Sequence, residues 1–350
     1  MDPITQGIIW WSLFTLTTGK HGRKPFLLSA VVTNLPDFDI FFSRLLYTDQ
    51  IDQMFFHRGI THTVVWGIVI GLLAGCIWWL VEKKQFSLWR LISACMLSIF
   101  GGHLVIDRLT SYGMRWRLPR SWVTTSLDTI FVLDFGMRAI VIGGFIWYLL
   151  SKHKQRVATR ILLCALGYFC FAAGVKQFAS TALQKQFIAD FPNTPIISQL
   201  STPEPFQPFL RRAIIKTQTS GDNTLYYEGR RSPFDTQTTP DRKTTSSELT
   251  PDEVSADLTG KIADQFAKIK SFSRGQLAIH VTTGGYIAEN LIFGSLNGRE
   301  QKLPWRGFQF FVGSNNIERQ GDMPRFTDGR WSTFRVRVLG GDLSGGIAQV

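Results

Sequence analysis

Cysteine is scarce in this chain and charge is sparse. Four cysteines, Cys76, Cys95, Cys164 and Cys170, occur in 350 residues. All lie in apolar runs, so they read as packing residues that report little on redox compartment, and no cysteine-based zinc module can be drawn from them. Charged residues make up 18% of the chain against 45% hydrophobic, an apolar balance for a soluble protein. A phosphate-binding P-loop, a dinucleotide fingerprint and an internal repeat are all missing, which leaves no sequence ground for nucleotide-dependent chemistry or a solenoid. Met1 to Thr18 carries Asp2 and no basic leading segment, so it does not read as a cleavable signal peptide.

The apolar residues are unevenly spread. Nearly all long uncharged runs fall before about residue 185, and the remainder is a polar mixture rich in Gly, Thr and Arg. The expected organisation is a helical transmembrane domain over 1–185, a proline-rich linker over 186–210 carrying Pro203, Pro205 and Pro208, and an α+β extramembrane domain over 211–350. In fold class this is an α-helical polytopic membrane domain followed by a small α+β soluble domain. The firmest span runs from Thr63 to Val81, because about 20 helical residues cross a hydrocarbon core of about 30 Å. Shorter uncharged stretches lie at Pro25–Pro36, Leu91–Gly102, Ala139–Ser151 and Ile161–Val175. The first segment, Gly7–Thr18, is marginal as a span.

A net charge of +12 raises the question of nucleic acid, but in a membrane chain it is first a matter of topology. Basic clusters alternate along the sequence, at Lys20, Arg23 and Lys24, then Lys83, Lys84 and Arg90, then Lys152, Lys154, Arg156 and Arg160. The positive-inside rule places these loops in the cytoplasm. It puts 47–62, 108–127 and the C-terminal half on the opposite face, although Arg108, Arg115, Arg117 and Arg120 run against that bias. No nucleic-acid partner is predicted, and the bilayer itself is the first partner.

Three motifs bring chemistry to one end of these segments. Pro36 ends the regular part of the second segment within LPDFD and delivers Asp37 and Asp39 near a membrane surface, where carboxylates must meet water or a cation. HRGITHT places His57, Arg58 and His62 around Gly59, a spacing that suits a loop entering a helix. Imidazoles are common metal ligands, and a guanidinium can grip an anion bidentately. In HLVIDRLTSYG, His103 and Asp107 are four apart and stack on one helical face. The three carboxylates and three imidazoles suit a divalent ion, zinc first, with manganese or iron if more oxygen ligands join. A charge-pair network without metal, as in a proton relay, is the alternative on these residues alone. Asp128 and Asp134 in SLDTIFVLDF are either further ligands or partners that orient a histidine. Arg115, Trp116, Arg117, Arg120 and Trp122 read as an interfacial anchor or a grip on an anionic substrate.

In the C-terminal half, short β-rich runs are predicted at Arg212–Thr217, Thr224–Tyr227, Gln276–Val281, Tyr286–Phe293, Phe308–Val312 and Phe334–Val338. One helix is expected after Thr250-Pro251-Asp252-Glu253, a capping box, with Val254, Leu258, Ile262, Phe266 and Ile269 as its apolar stripe. Pro233–Ser247 reads as a mobile loop, and His280 as a packing residue.

With these motifs in order, MDPITQG, LPDFD, HRGITHT, the His103–Asp107 pair running into LTSYG, and SLDTIFVLD, the sequence resembles the membrane-bound metal-dependent hydrolases, the YdjM-like proteins. TPEPFQPFLRRAII, SFSRGQLAIH and NLIFG resemble its longer members. Leu210 before Arg211 and the segment MRWRLPRSW depart from the family pattern. The resemblance implies an integral multi-pass protein of the inner membrane and a hydrolase label without a substrate. The resulting expectation is metal held by Asp37, Asp39, His57, His62, His103 and Asp107, Arg58 binding a phosphate or carboxylate, and a lipid or lipid-linked phosphoester as substrate. A membrane scaffold or sensor with a structural metal and a partner-binding exported domain is the competing expectation.

Overall fold

A computed structural model describes residues 3–18, 23–82, 86–118, 120–204, 207–218, 224–235, 242–293, 308–313 and 317–320. The chain forms two units, Met1–Phe171 and Ala172–Val350, divided within one long helix.

The first unit is helical. It contains α1 (Pro3–Thr18), α2 (Arg23–Asn34), a 3-10 turn (Leu35–Phe38), α3 (Asp39–Leu46), α4 (Gln50–Phe56), a 3-10 turn (Ile60–His62) and α5 (Val64–Val81). After these come α6 (Leu88–Leu97), a π-helical segment (Ser98–Leu104), α7 (Val105–Leu109), α8 (Phe135–Leu150) and α9 (Lys154–Asp190). Among the described residues four stretches are long and apolar enough to cross a membrane, namely Phe26–Leu46, Val64–Val81, Leu88–Leu109 and Lys154–Asp190. α8 is a shorter apolar helix.

Lipid is as apolar as leucine, so helices in a bilayer associate through close packing and polar contacts. α5 meets α6 and the π segment along Gly67, Gly71 and Gly75. A methyl group on Gly75 would lie 2.7 Å from Ile92 Cα, and one on Gly71 would lie 2.6 Å from Met96 Sδ. Trp10, Phe14, Trp78, Leu91, Cys95 and Ile99 fill the space between α1, α5 and α6. Trp11 stands edge-on to Phe26, Phe145 and Tyr148, closing α1 against α2 and α8. Thr33 Oγ1 lies 2.7 Å from Ser98 Oγ and ties α2 to the π segment. Of the cysteines only Cys95 is buried; Cys76, Cys164 and Cys170 are exposed. The packing role expected of all four holds for one, because apolar residues on spanning helices can face lipid instead of a core.

The second unit holds two four-stranded antiparallel sheets. One has the order β1 (Ile196–Glu204), β2 (Gln207–Gln218), β3 (Thr224–Arg231), β4 (Arg242–Ser247). Then come α10 (Pro251–Asp257) and α11 (Gly260–Ser273), followed by the sheet β5 (Leu277–Thr282), β6 (Gly285–Asn290), β7 (Phe308–Gly313), β8 (Ile317–Gln320). Ile214 and Tyr226 from the first sheet pack with Ala278 and Leu291, and the Tyr226 hydroxyl donates to the Leu277 carbonyl at 2.9 Å. Buried Arg212 lies between Glu204 at 3.8 Å and Glu228 at 3.6 Å.

The capping box at Thr250 and Glu253 is present, but the single helix expected after it is two. Leu258 and Thr259 are extended and separate the two helices, and Gly260, which opens α11, has φ +57, a left-handed conformation that glycine adopts without strain. Arg242–Ser247, expected within a loop, is the edge strand β4. Its threonines suit a pleated ribbon although it has no hydrophobic alternation. The proline-bearing stretch after α9 contributes β1, where Pro203 sits on an edge strand that needs no donor on its outer side. Phe334–Val338 lies outside the described residues.

Candidate metal centre

The three motifs meet at one end of the helical unit. Pro36 and the 3-10 turn after α2 present Asp37, and Asp39 begins α3. His57 caps the C-terminus of α4; Ile60–His62 makes a single 3-10 turn, and the Thr63 side chain caps α5. The loop-into-helix reading of HRGITHT is the observed one. His103 lies in the π segment, where the Val105 N–H bonds to the Phe100 carbonyl, five residues back. Such bulges recur at functional sites because they re-aim a side chain without ending the helix. His103 and Asp107 still face each other, Nε2 to Oδ2 at 3.9 Å.

Asp37, His62, His103 and Asp107 form a group that could hold a metal ion, their four ligand atoms lying within 4.8 Å of one another. His62 Nε2 is 3.1 Å from His103 Nε2, 3.2 Å from Asp37 Oδ1 and 3.8 Å from Asp107 Oδ2. His103 Nε2 is 3.5 Å from Asp37 Oδ1. A tetrahedral ion with nitrogen and oxygen ligands at about 2.0–2.2 Å needs ligand atoms about 3.3–3.5 Å apart; His62, His103 and Asp37 stand close to that spacing, and Asp107 Oδ2, 3.8 Å and 3.9 Å from the two imidazoles, lies slightly beyond it. The donor set fits an ion. Two imidazole nitrogens facing each other at this distance can share one proton at most, and a cation satisfies both lone pairs together with the carboxylates. Burial pushes the His62 imidazole down to about 4 against the pull of Asp37, which leaves it neutral at pH 7, the form that ligates.

Asp39 and His57 lie beside these four. His57 Nδ1 is 2.7 Å from Asp39 Oδ1, and Asp39 Oδ2 accepts from the Thr61 hydroxyl at 2.5 Å and from the Arg58 backbone N–H at 3.3 Å. Thr61 Oγ1 is also 3.0 Å from His62 Nδ1, so one hydroxyl joins the two.

Arg58, expected to meet an anion, is buried and turned inward. Its Nη2 is 3.0 Å from Asp107 Oδ2, and Nη1 donates to Thr110 Oγ1 and the Gly113 carbonyl, both at 3.4 Å. Its guanidinium carbon lies 4.8 Å from the centroid of the Tyr112 ring. The backbone is left-handed, φ 59, so a non-glycine residue is held in an unfavourable conformation where HRGITHT meets LTSYG.

Three further residues take part. The Gln6 amide donates to Asp107 Oδ1 at 2.9 Å; its only sequence signal was membership of MDPITQG. Thr61 and Thr110 sit inside the motifs and carry no separate signal in the sequence. Of the two further aspartates, Asp134 caps α8 through the Met137 N–H at 2.9 Å and accepts from the Tyr168 hydroxyl at 2.5 Å. Asp128 is buried, left-handed at φ 47, and accepts from the Ser126 hydroxyl at 3.1 Å. Neither belongs to the four-residue group.

Comparison with curated proteins and with solved structures returns no match. A family model described as YdjM inner membrane protein matches residues 1–178, the part of the chain that carries all four clustered residues. The chain is an integral inner membrane protein belonging to the YdjM family.

Proposed function

We propose that this chain is a membrane-bound, metal-dependent hydrolase acting on a lipid or lipid-linked phosphoester, with Asp37, His62, His103 and Asp107 holding a divalent ion, zinc before manganese or iron. The convergence of two imidazole nitrogens and two carboxylates within 4.8 Å carries the reading. An ion in this donor set would supply Lewis acidity and would lower the pKa of a water so that hydroxide is available near neutral pH.

The chain's own groups then divide the remaining work. With Nδ1 bonded to the Asp39 carboxylate, His57 is fixed as the tautomer whose Nε2 can accept a proton. His57 is also partly exposed, at 22% of its side chain, whereas His62 and His103 are fully buried. We assign His57 the proton transfer and Asp39 its orientation. Arg58 neutralises and aims Asp107. Phe38, Phe41, Phe42 and Ile60 are exposed next to the motif residues, an apolar border that suits a substrate resident in the bilayer.

One observation favours the second reading, a scaffold or sensor with a structural ion. Four protein ligands can close a tetrahedral shell, whereas hydrolytic sites keep one position open. Turnover decides. The full chain in detergent, metal-loaded or treated with EDTA, is assayed on a panel of chromogenic and lipid phosphoesters. The proposal requires cleavage that depends on metal and a His57→Ala variant that keeps its metal while losing about 100-fold or more in rate. A metal-replete wild type that cleaves nothing on the panel overturns it in favour of the scaffold.

A further inference from the structure

Arginines gather beside the cluster without taking part in it. Arg115 is accounted for, since it is buried, donates to the Phe55 carbonyl and lies over the Phe55 and Trp122 rings. Arg108 and Arg117 differ. Both rest on one indole, with guanidinium carbons 4.4 Å and 5.7 Å from the Trp116 centroid, and neither has a carboxylate partner among the described residues.

Their position is well defined. Arg108 follows Asp107 on α7, so it stands at the same end of its span as the metal centre. The Trp116 carbonyl accepts from the N–H of Val64, the first residue of α5, at 3.1 Å, which sets the indole level with the end of a second span. Val64, Val65, Val105, Trp122 and Val123 are exposed in this part of the chain, and apolar side chains at span ends face lipid. Arg108 is half-buried and Arg117 exposed. Cations therefore stand unpaired where apolar surface gives way to water, on a face that the alternating basic loops mark as the one usually poor in arginine. Both guanidiniums are held against one ring, and the planar fork of each matches a phosphate.

We propose that Arg108 and Arg117, held on Trp116, bind a phosphate group at the membrane boundary, carried either by an anionic lipid headgroup or by free phosphate. The exposed apolar neighbours favour the lipid. Neither arginine belongs to the four-residue group, so the site can be tested without metal.

The experiment uses the full chain, stripped of metal with EDTA in a non-ionic detergent, and follows binding of phosphatidylglycerol, phosphatidylcholine and inorganic phosphate by native mass spectrometry. Phosphatidylglycerol should bind in preference to phosphatidylcholine. Arg108→Gln or Arg117→Gln should weaken it about fivefold, and both together about 25-fold. Arg90→Gln, at the other end of the same span, should leave it unchanged. Arg108→Lys retains charge without the fork and should fall between wild type and Arg108→Gln, which separates recognition from misfolding. Binding of inorganic phosphate with the same dependence on Arg108 and Arg117, and no lipid preference, would assign the site to free phosphate. A double variant that retains phosphatidylglycerol and phosphate as wild type does overturns the proposal.

Discussion

Replacing Arg58 by Gln separates a clamp from a substrate contact. The guanidinium lies 3.0 Å from Asp107 Oδ2, with both side chains buried. At that distance and an effective dielectric of about 20, unit charges attract by about 5–6 kcal/mol. Desolvation offsets part of this, and losing one partner of a buried pair typically costs about 3–5 kcal/mol because the other charge is left uncompensated. The metal-free Arg58→Gln protein should therefore be less stable by about that amount, with some recovery from the glutamine amide. A divalent ion beside Asp107 supplies replacement charge, so saturating metal should restore much of the loss. Thermal unfolding of the full chain in detergent, with EDTA and with added metal, reads both effects. Arg58→Lys keeps charge but cannot serve Asp107, Thr110 and Gly113 together, and should fall between. If Arg58→Gln unfolds as wild type does in EDTA and loses only turnover, Arg58 is a substrate contact and the clamp is refuted.

Other perturbations test separate parts of the structure. Thr61→Val removes the hydroxyl shared by Asp39 and His62 and should weaken metal affinity about 10–100-fold, measurable by competition with a chelating dye. Gly75→Ala places a methyl 2.7 Å from Ile92 backbone and should cost about 1–3 kcal/mol through displacement of α6; Gly143→Ala, with nothing within 4 Å, should not destabilise in the same melt. Burial alone would raise the Glu204 carboxyl, but Arg230 and Arg212 outweigh it and hold it below the usual range. Its contribution is then present above the unfolded value of about 4.3 and is lost as pH falls below that. Protection factors in β1–β3, which correct exchange for its intrinsic pH dependence, should fall on acidification from pH 5 toward 3, and Arg230→Gln should shrink the change.

Much of the site was legible because each motif combined a chain-direction signal with a costly residue. Pro36 fixed where α2 had to yield, Gly59 marked the loop before α5, and the four-residue spacing of His103 and Asp107 set a shared face. Polar groups inside apolar runs announce themselves, since hydrocarbon offers them no other partner. The contacts of Gln6 and Thr61 were hidden, because a glutamine on an apolar helix or a threonine in a loop has many uses and only packing selects one. The inward turn of Arg58 was hidden too, since its left-handed backbone is set by two motifs pressing on it from far apart in sequence. The π segment, whose Ser98 meets Thr33 of α2, has no local signature. In the second unit, strands with alternating apolar residues such as β5 and β7 were readable. The polar edge strand β4 and the break at Leu258 and Thr259 were not, because neither carries a local signal of its own.

The central claim is one ion held by four residues from three segments. Elemental analysis with X-ray absorption at the edge of whichever metal is found, on the purified full chain beside His62→Ala and Asp107→Ala, tests it most directly. The wild type should carry a stoichiometric divalent ion with a nitrogen and oxygen shell and two imidazole scatterers, and both folded variants should lose most of that metal. A wild type without metal after reconstitution, or full occupancy in either variant, would contradict that claim.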